Sequence, residues 1–248
     1  AGRRCDSRRA FLEQLGALSA PAMLAAARRV GNSLTLVERG RSVYSICVSR
    51  EASPSEKRGA AELQLHLQQM AGVRLPIVTD DGIGASQTLI ALGESGVTKR
   101  LGIAVPKGES FLLRTAGSSL IIAGGRERGT LYGVYGFLEK LGCRWFTRDV
   151  SRVPKRAKLT IPALDETQSP AFEYREPFFT EALDKDWAAR NRTNGHFQRL
   201  DESTGGKVSY FPFVHSFNLL VPPEKYFQDH PEYFSLIEGK RRAERSQL

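Results

Sequence analysis

The sequence predicts an α+β fold: an α/β layer in which a mixed β-sheet carries two main helices on one face. Three observations carry that reading. Short strand-like runs alternate with only two long helical patterns between residues 34 and 146. Each helical pattern has one narrow apolar stripe, so a single sheet face satisfies both. Runs at residues 109–115 and 119–124 flank Ala116-Gly117-Ser118 and read as a hairpin.

In chain order, residues 34–39 and 43–49 are expected as strands around Arg39-Gly40-Arg41. Ser53-Pro54-Ser55-Glu56 is a capping box with Pro at the first helical position. The helix it starts carries Ala60, Leu63, Leu67, Met70 and Ala71 as its stripe and ends at Gly72. His66 lies at the edge of that stripe and is expected on the surface. Strands follow at residues 75–78 and 88–92, then a short helical piece near 97–101. Gly124-Gly125-Arg126 lacks the spacing of either nucleotide-binding glycine loop and reads as a tight strand-to-helix turn.

The second long helix starts near Arg128. Leu131, Val134, Tyr135, Leu138 and Leu141 share one face, and Gly142 is placed for a left-handed cap. Gly129, Gly133 and Gly136 share the other face with Lys140. Each Gly costs about 1 kcal/mol relative to Ala in a helix interior. Three on one stripe imply that another backbone comes close. Residues 31–162 are expected as one domain and 163–171 as a polar, proline-bounded linker.

The net charge of +9 over 248 residues raises nucleic-acid binding, until the charge is located. Two-thirds of it sits in residues 1–30 and 238–248, and no basic stripe interleaved with aromatics occupies the middle. No apolar run is long enough to span a membrane. Ser7-Arg8-Arg9-Ala10-Phe11-Leu12 resembles a twin-arginine export signal, and Ala25-Ala26-Ala27 fits its cleavage site. Residues 1–30 are therefore expected as a signal segment, and the protein as exported, periplasmic or extracellular. Export permits a Cys47–Cys143 disulfide. Both cysteines lie in apolar runs, where a buried free thiol is the favoured alternative.

After residue 171 the composition changes. Aromatics are dense from Phe172 to Phe234 and are accompanied by Arg, Asn, His and Glu. Carbohydrate pockets use that combination: rings stack on sugar faces, and planar polar groups bond hydroxyls. An aromatic core with surface charges is the competing explanation. Trp187, Arg190, Asn194 and His215 are candidate sugar contacts. Histidine spacing fits no zinc motif, and neither metal nor cofactor is expected.

The stretch RGTLYGVYGFLEKLGCRWF at residues 128–146, with Leu159-Thr160-Ile161-Pro162 after it, resembles the end of a glycosidase accessory domain. That domain precedes the catalytic (β/α)8 barrel in α-glucuronidases and β-N-acetylhexosaminidases. LVPPEKYF at 220–227, HPEYF at 230–234 and the stretch from Tyr174-Arg175 to Asn194-Gly195 resemble a bacterial family known as DUF4838. The resemblance implies that residues 172–248 begin a TIM-type barrel, incomplete because a barrel takes about 250 residues. It implies a glycan substrate that bears uronic acids, and it makes Arg175 a substrate-binding residue. It also implies that the glycine stripe packs under the barrel and is partly exposed where barrel is missing. A non-catalytic carbohydrate-binding or interaction protein on the same scaffold is the alternative. Hydrolysis needs two facing carboxylates, which the resemblance places on later barrel strands.

Overall fold

The computed structural model describes residues 32–84 and 87–243; the segment expected as an export signal lies outside them. Strands β1 (Leu34–Glu38) and β2 (Ser45–Val48) lead into α1 (Pro54–Ala71). Next come β3 (Ile77–Thr79), β4 (Leu89–Leu92), α2 (Gly96–Arg100), β5 (Phe111–Ala116), β6 (Ser119–Gly124) and α3 (Gly129–Lys140). Then follow β7 (Arg144–Trp145), β8 (Ser151–Arg152), β9 (Lys158–Ile161) and β10 (Asp165–Gln168). The principal sheet has the order β10-β5-β6-β4-β2-β3. Its β3-β2-β4-β6 half is parallel, whereas β5 pairs antiparallel with both β6 and β10.

Side-chain alternation divides the sheet into two faces. Ile46, Val48, Ile90, Leu92, Leu120 and Ile122 point toward α1 and α3 and form the main core with them. Cys47, Leu89, Ala91, Ile121 and Ala123 point the other way, where Val97 of α2 covers them. The expected mixed sheet with two main helices on one face is therefore present. The capping box also forms: Ser53 Oγ accepts from the Glu56 amide, and Glu56 Oε2 accepts from the Ser53 amide at 2.8 Å. Gly72 closes α1 with φ +74. Cys47 and Cys143 are free and buried, and burial pushes each thiol up to about 11.

Three expectations change. The linker stretch 163–171 contains β10, which pairs with β5 as the last strand of the sheet. Its burial pattern is almost wholly exposed, so no hydrophobic signal announces it. His66 is buried, at 3% exposure, because Trp145 reaches over α1 and covers it. Third, the glycine stripe packs on its own sheet. A Cβ on Gly133 would sit 3.0 Å from Ile122 Cγ2, and one on Gly136 2.8 Å from Phe111 Cζ. A Cβ on Gly129 would lie 2.6 Å from the Ser110 carbonyl oxygen. Backbone comes close at Gly129 alone, from Gly108, Ser110 and Gly124, whereas Gly133 and Gly136 meet the side chains of Ile122 and Phe111; all three glycines are buried.

Beyond β10 the chain makes short elements: a 3-10 turn at Thr180–Leu183, α4 (Lys185–Arg190), and a second 3-10 turn at Glu202–Thr204. Then come α5 (Phe217–Leu220), α6 (Pro223–Tyr226) and a ribbon of β11 (Leu236–Ile237) with β12 (Lys240–Arg241). Residues 172–179, where the expected barrel would begin, carry no strand ladder. The Asn194 carboxamide takes a neighbouring strand's place, accepting from the Arg175 amide at 2.9 Å. Ala188, Ala189 and Leu200 join the main core, so this segment is seated on the α1/α3 side of the layer.

Candidate functional site

The candidate residues Arg175 and Asn194 meet at a carboxylate that no local pattern marks. Glu109 lies just before β5. Its Oε1 accepts from Arg128 Nε at 2.7 Å and Asn194 Nδ2 at 2.8 Å; its Oε2 accepts from Arg175 Nη2 at 2.6 Å. Burial alone would raise this carboxyl. Donors from Asn194, Arg175 and Arg128 outweigh burial and hold it below the usual carboxylate range. Burial also pushes the neighbouring Tyr132 phenol up to about 12.

The arginine donors have further uses. Arg175 Nε donates to the Arg192 carbonyl at 2.8 Å and Nη1 to the Phe172 carbonyl at 2.6 Å. Its guanidinium lies 5.7 Å from the Tyr132 ring centre. Arg128 Nη1 donates to the Gly205 carbonyl at 2.7 Å. Asn194 is fully buried, and its Nδ2 also donates to the Glu173 carbonyl. Beside this cluster is a cleft of about 320 Å³, lined by Phe111, Tyr132, Ser169, Arg175, Asn191 and Arg192.

Trp187 and Arg190 belong to a second cluster on α4. Arg190 grips Glu62 of α1 with two bonds, Nε to Oε2 at 3.2 Å and Nη2 to Oε1 at 3.1 Å. Arg58, one turn before Glu62, reaches Asp186 of α4 at 2.7 Å. Trp187 Nε1 donates to the Phe146 carbonyl at 3.1 Å, and Asp184 caps α4 by accepting from the Trp187 amide. His215 lies apart from these bonds, exposed, with φ +49.

Four of the five candidates thus spend their donors on the protein itself. An ionised, cation-saturated carboxylate is neither a proton donor nor a strong base. The Glu109 cluster fastens residues 172–206 to the layer, as the Glu62 cluster does for α4. Sequence reasoning missed Glu109, Glu62, Arg58 and Tyr132. Arg58, Glu62 and His66 follow one another at four-residue spacing beside the apolar stripe of α1, a pattern that pointed to a buried polar row. Glu109 carried no such signal. Among the described residues, no group of three or more His, Cys, Asp or Glu is placed to hold a metal ion. No described helix is long and apolar enough to cross a membrane.

No curated protein matches the chain significantly. Several solved structures are similar. One is a family GH115 4-O-methyl-α-glucuronidase with specificity for decorated arabinogalactans, at 22% identity and TM-score 0.44, covering 56% of this chain and 19% of that one. Another is the GH20 β-N-acetylhexosaminidase of Streptomyces coelicolor A3(2), at 16% identity and TM-score 0.41, covering 66% of this chain and 31% of that one. A Streptomyces plicatus β-hexosaminidase mutant bound to its product has 15% identity, TM-score 0.40 and the same coverage of each chain. This chain therefore spans less than a third of the length of these structures. Residues 32–137 match the family model of the glycosyl hydrolase family 67 N-terminus, and residues 145–248 match the domain of unknown function DUF4838.

Proposed function

We propose that the chain is the non-catalytic accessory layer and the beginning of the barrel of an exported glycoside hydrolase-like protein that acts on glycans. The observation that carries this reading is the surface of the DUF4838 part. Phe172, Phe178, Phe211, Phe217, Leu220 and Leu236 are all exposed, Phe211 at 92%. So much apolar surface on one segment marks a face that further protein covers. In this reading the Glu109 and Glu62 clusters set the position of that segment on the layer. His215, the one exposed candidate, contacts sugar, and Arg175, Trp187, Arg190 and Asn194 hold the surrounding backbone. The finer reading, a glycan bearing uronic acids, rests on the resemblance of residues 128–146 to the accessory domain of α-glucuronidases.

The test pairs two measurements. A protein of residues 32–243 should bind a hydrophobic dye strongly and bind neither neutral oligosaccharides nor their glucuronic-acid-decorated forms. The native gene product should bind little dye and release sugar from such glycans, with His215→Ala lowering the rate. Oligosaccharide binding by residues 32–243, with no hydrolysis by the native product, would favour a carbohydrate-binding protein on this scaffold instead.

A further inference from the structure

His66 is a buried titratable group that the proposed glycan role leaves unused. Its Nδ1 lies 2.7 Å from the Glu62 carbonyl oxygen, one turn earlier on α1. Its Nε2 lies 3.2 Å from Trp145 Nε1, and the two rings meet edge-on at 5.4 Å. An indole N–H only donates. Nε2 must therefore accept, and Nδ1 carries the proton that bonds the Glu62 carbonyl. Both ring nitrogens are satisfied in this neutral tautomer alone.

Both arms of this contact end on α4. Through Trp145, one arm reaches the Trp145 carbonyl, which accepts from Nδ2 of Asn191, the residue that ends α4. The other runs through Glu62, whose carboxylate is gripped by Arg190. Glu62 Oε2 lies 3.8 Å from His66 Nδ1; Arg190 of α4 and Arg58 of α1 pair with that carboxylate, and Arg58 also with Asp186 of α4, while the Tyr135 ring of α3 packs edge-on against Trp145. Two carboxylates already balance two guanidinium groups there. A proton on Nε2 would set two donors face to face and add a third cation beside a Glu62 carboxylate that Arg190 and Arg58 already share.

We propose that His66 is an acid-sensitive latch between the accessory layer and α4: protonation breaks the Trp145 bond and loosens α4 from α1. Burial pushes the His66 pKa down, against the smaller upward pull of the Glu62 carbonyl and carboxylate. The neutral form is thus favoured in the folded protein. The latch's contribution is complete above the ordinary value of 6.5 and is lost as pH falls from there toward the lowered folded value.

Hydrogen exchange of the full chain tests this, with rates corrected for the intrinsic effect of pH. From about pH 7.5 to about pH 5, amides 188–194 should exchange about tenfold faster relative to β4 and β6. His66→Gln keeps an acceptor for Trp145 and does not titrate, so it should remove that pH response. An unchanged α4, an equal response in β4 and β6, or a response that survives in His66→Gln overturns the latch. Should the variant not fold, the native protein still decides. The His66 ring and the α4 amides must then titrate with one shared midpoint in NMR spectra, and separate midpoints overturn the proposal.

Discussion

Residues 34–168 and residues 172–243 are held together by different physics. In the first region both sheet faces are covered, and the exposed large hydrophobics, such as Val43 and Leu101, are scattered. In the second lie thirteen of the nineteen exposed large hydrophobics among the described residues, although it is about half as long. The layer closes on apolar burial. The later segment is attached through Glu109, Glu62 and three alanine- or leucine-sized contacts, while most of its rings face solvent. Sheet strands present an apolar face whose partners come from the same ladder. A segment of short turns has no such ladder, and its apolar groups need cover from elsewhere.

The layer should respond most to overpacking. Gly133→Leu drives a side chain into Ile122 and Phe111. It should cost about 3 kcal/mol in chemical denaturation, with both regions unfolding at lower denaturant. An effect confined to residues 172–243 would break the comparison, since the glycine stripe belongs to the layer.

A smaller and more local loss is expected from Glu109→Gln. It strips the charge that Arg128 and Arg175 share, at a cost of about 2 kcal/mol, discounted because both guanidinium groups keep other acceptors. Proteolysis should then reach residues 172–206 before the sheet. The pH dependence has a fixed sign. Glu109 has a depressed folded pKa, so its contribution is present above the ordinary carboxyl value of 4.5 and is lost as pH falls through the folded value. Glu109→Gln should flatten that part of the acid profile.

Phe211→Ser should do the least to stability, within about 0.5 kcal/mol, as substitutions at exposed positions do. Hydrophobic-dye binding should nevertheless fall. A large loss of stability would show that Phe211 is a core residue and that the two regions differ less than their exposure indicates.

The layer was legible because its signals are local. The Ser53–Glu56 box, Gly72, the stripe of α1 and the two-residue turn at Gly117-Ser118 each specify their own element. The three glycines announced a close backbone, but not whose. The fold answers that: the turns at Gly108–Ser110 and Gly124 supply the backbone at Gly129, and the side chains of Phe111 and Ile122 fill the space at Gly133 and Gly136. Strand β10 was hidden because an edge strand with solvated side chains reads like any polar loop. Asn194 was found by residue type and Arg175 by resemblance, so both were named without the carboxylate that joins them. Glu109 lies 66 positions before Arg175 and 85 before Asn194. No spacing rule spans such gaps, and only the fold brings them together.

The ribbon of β1 with β9 has a consequence for synthesis on the ribosome. Thr35 and Thr160 are bonded across it, 125 residues apart. At about 5–20 residues per second, β1 waits roughly 6–25 s after emerging before its partner exists. During that interval Leu34, Leu36 and Val37, all buried in the finished layer, are unpaired. A nascent chain stalled before β9 would hold a nearly complete parallel half-sheet with an apolar strand trailing from its start, which makes it a substrate for chaperones that bind extended apolar segments.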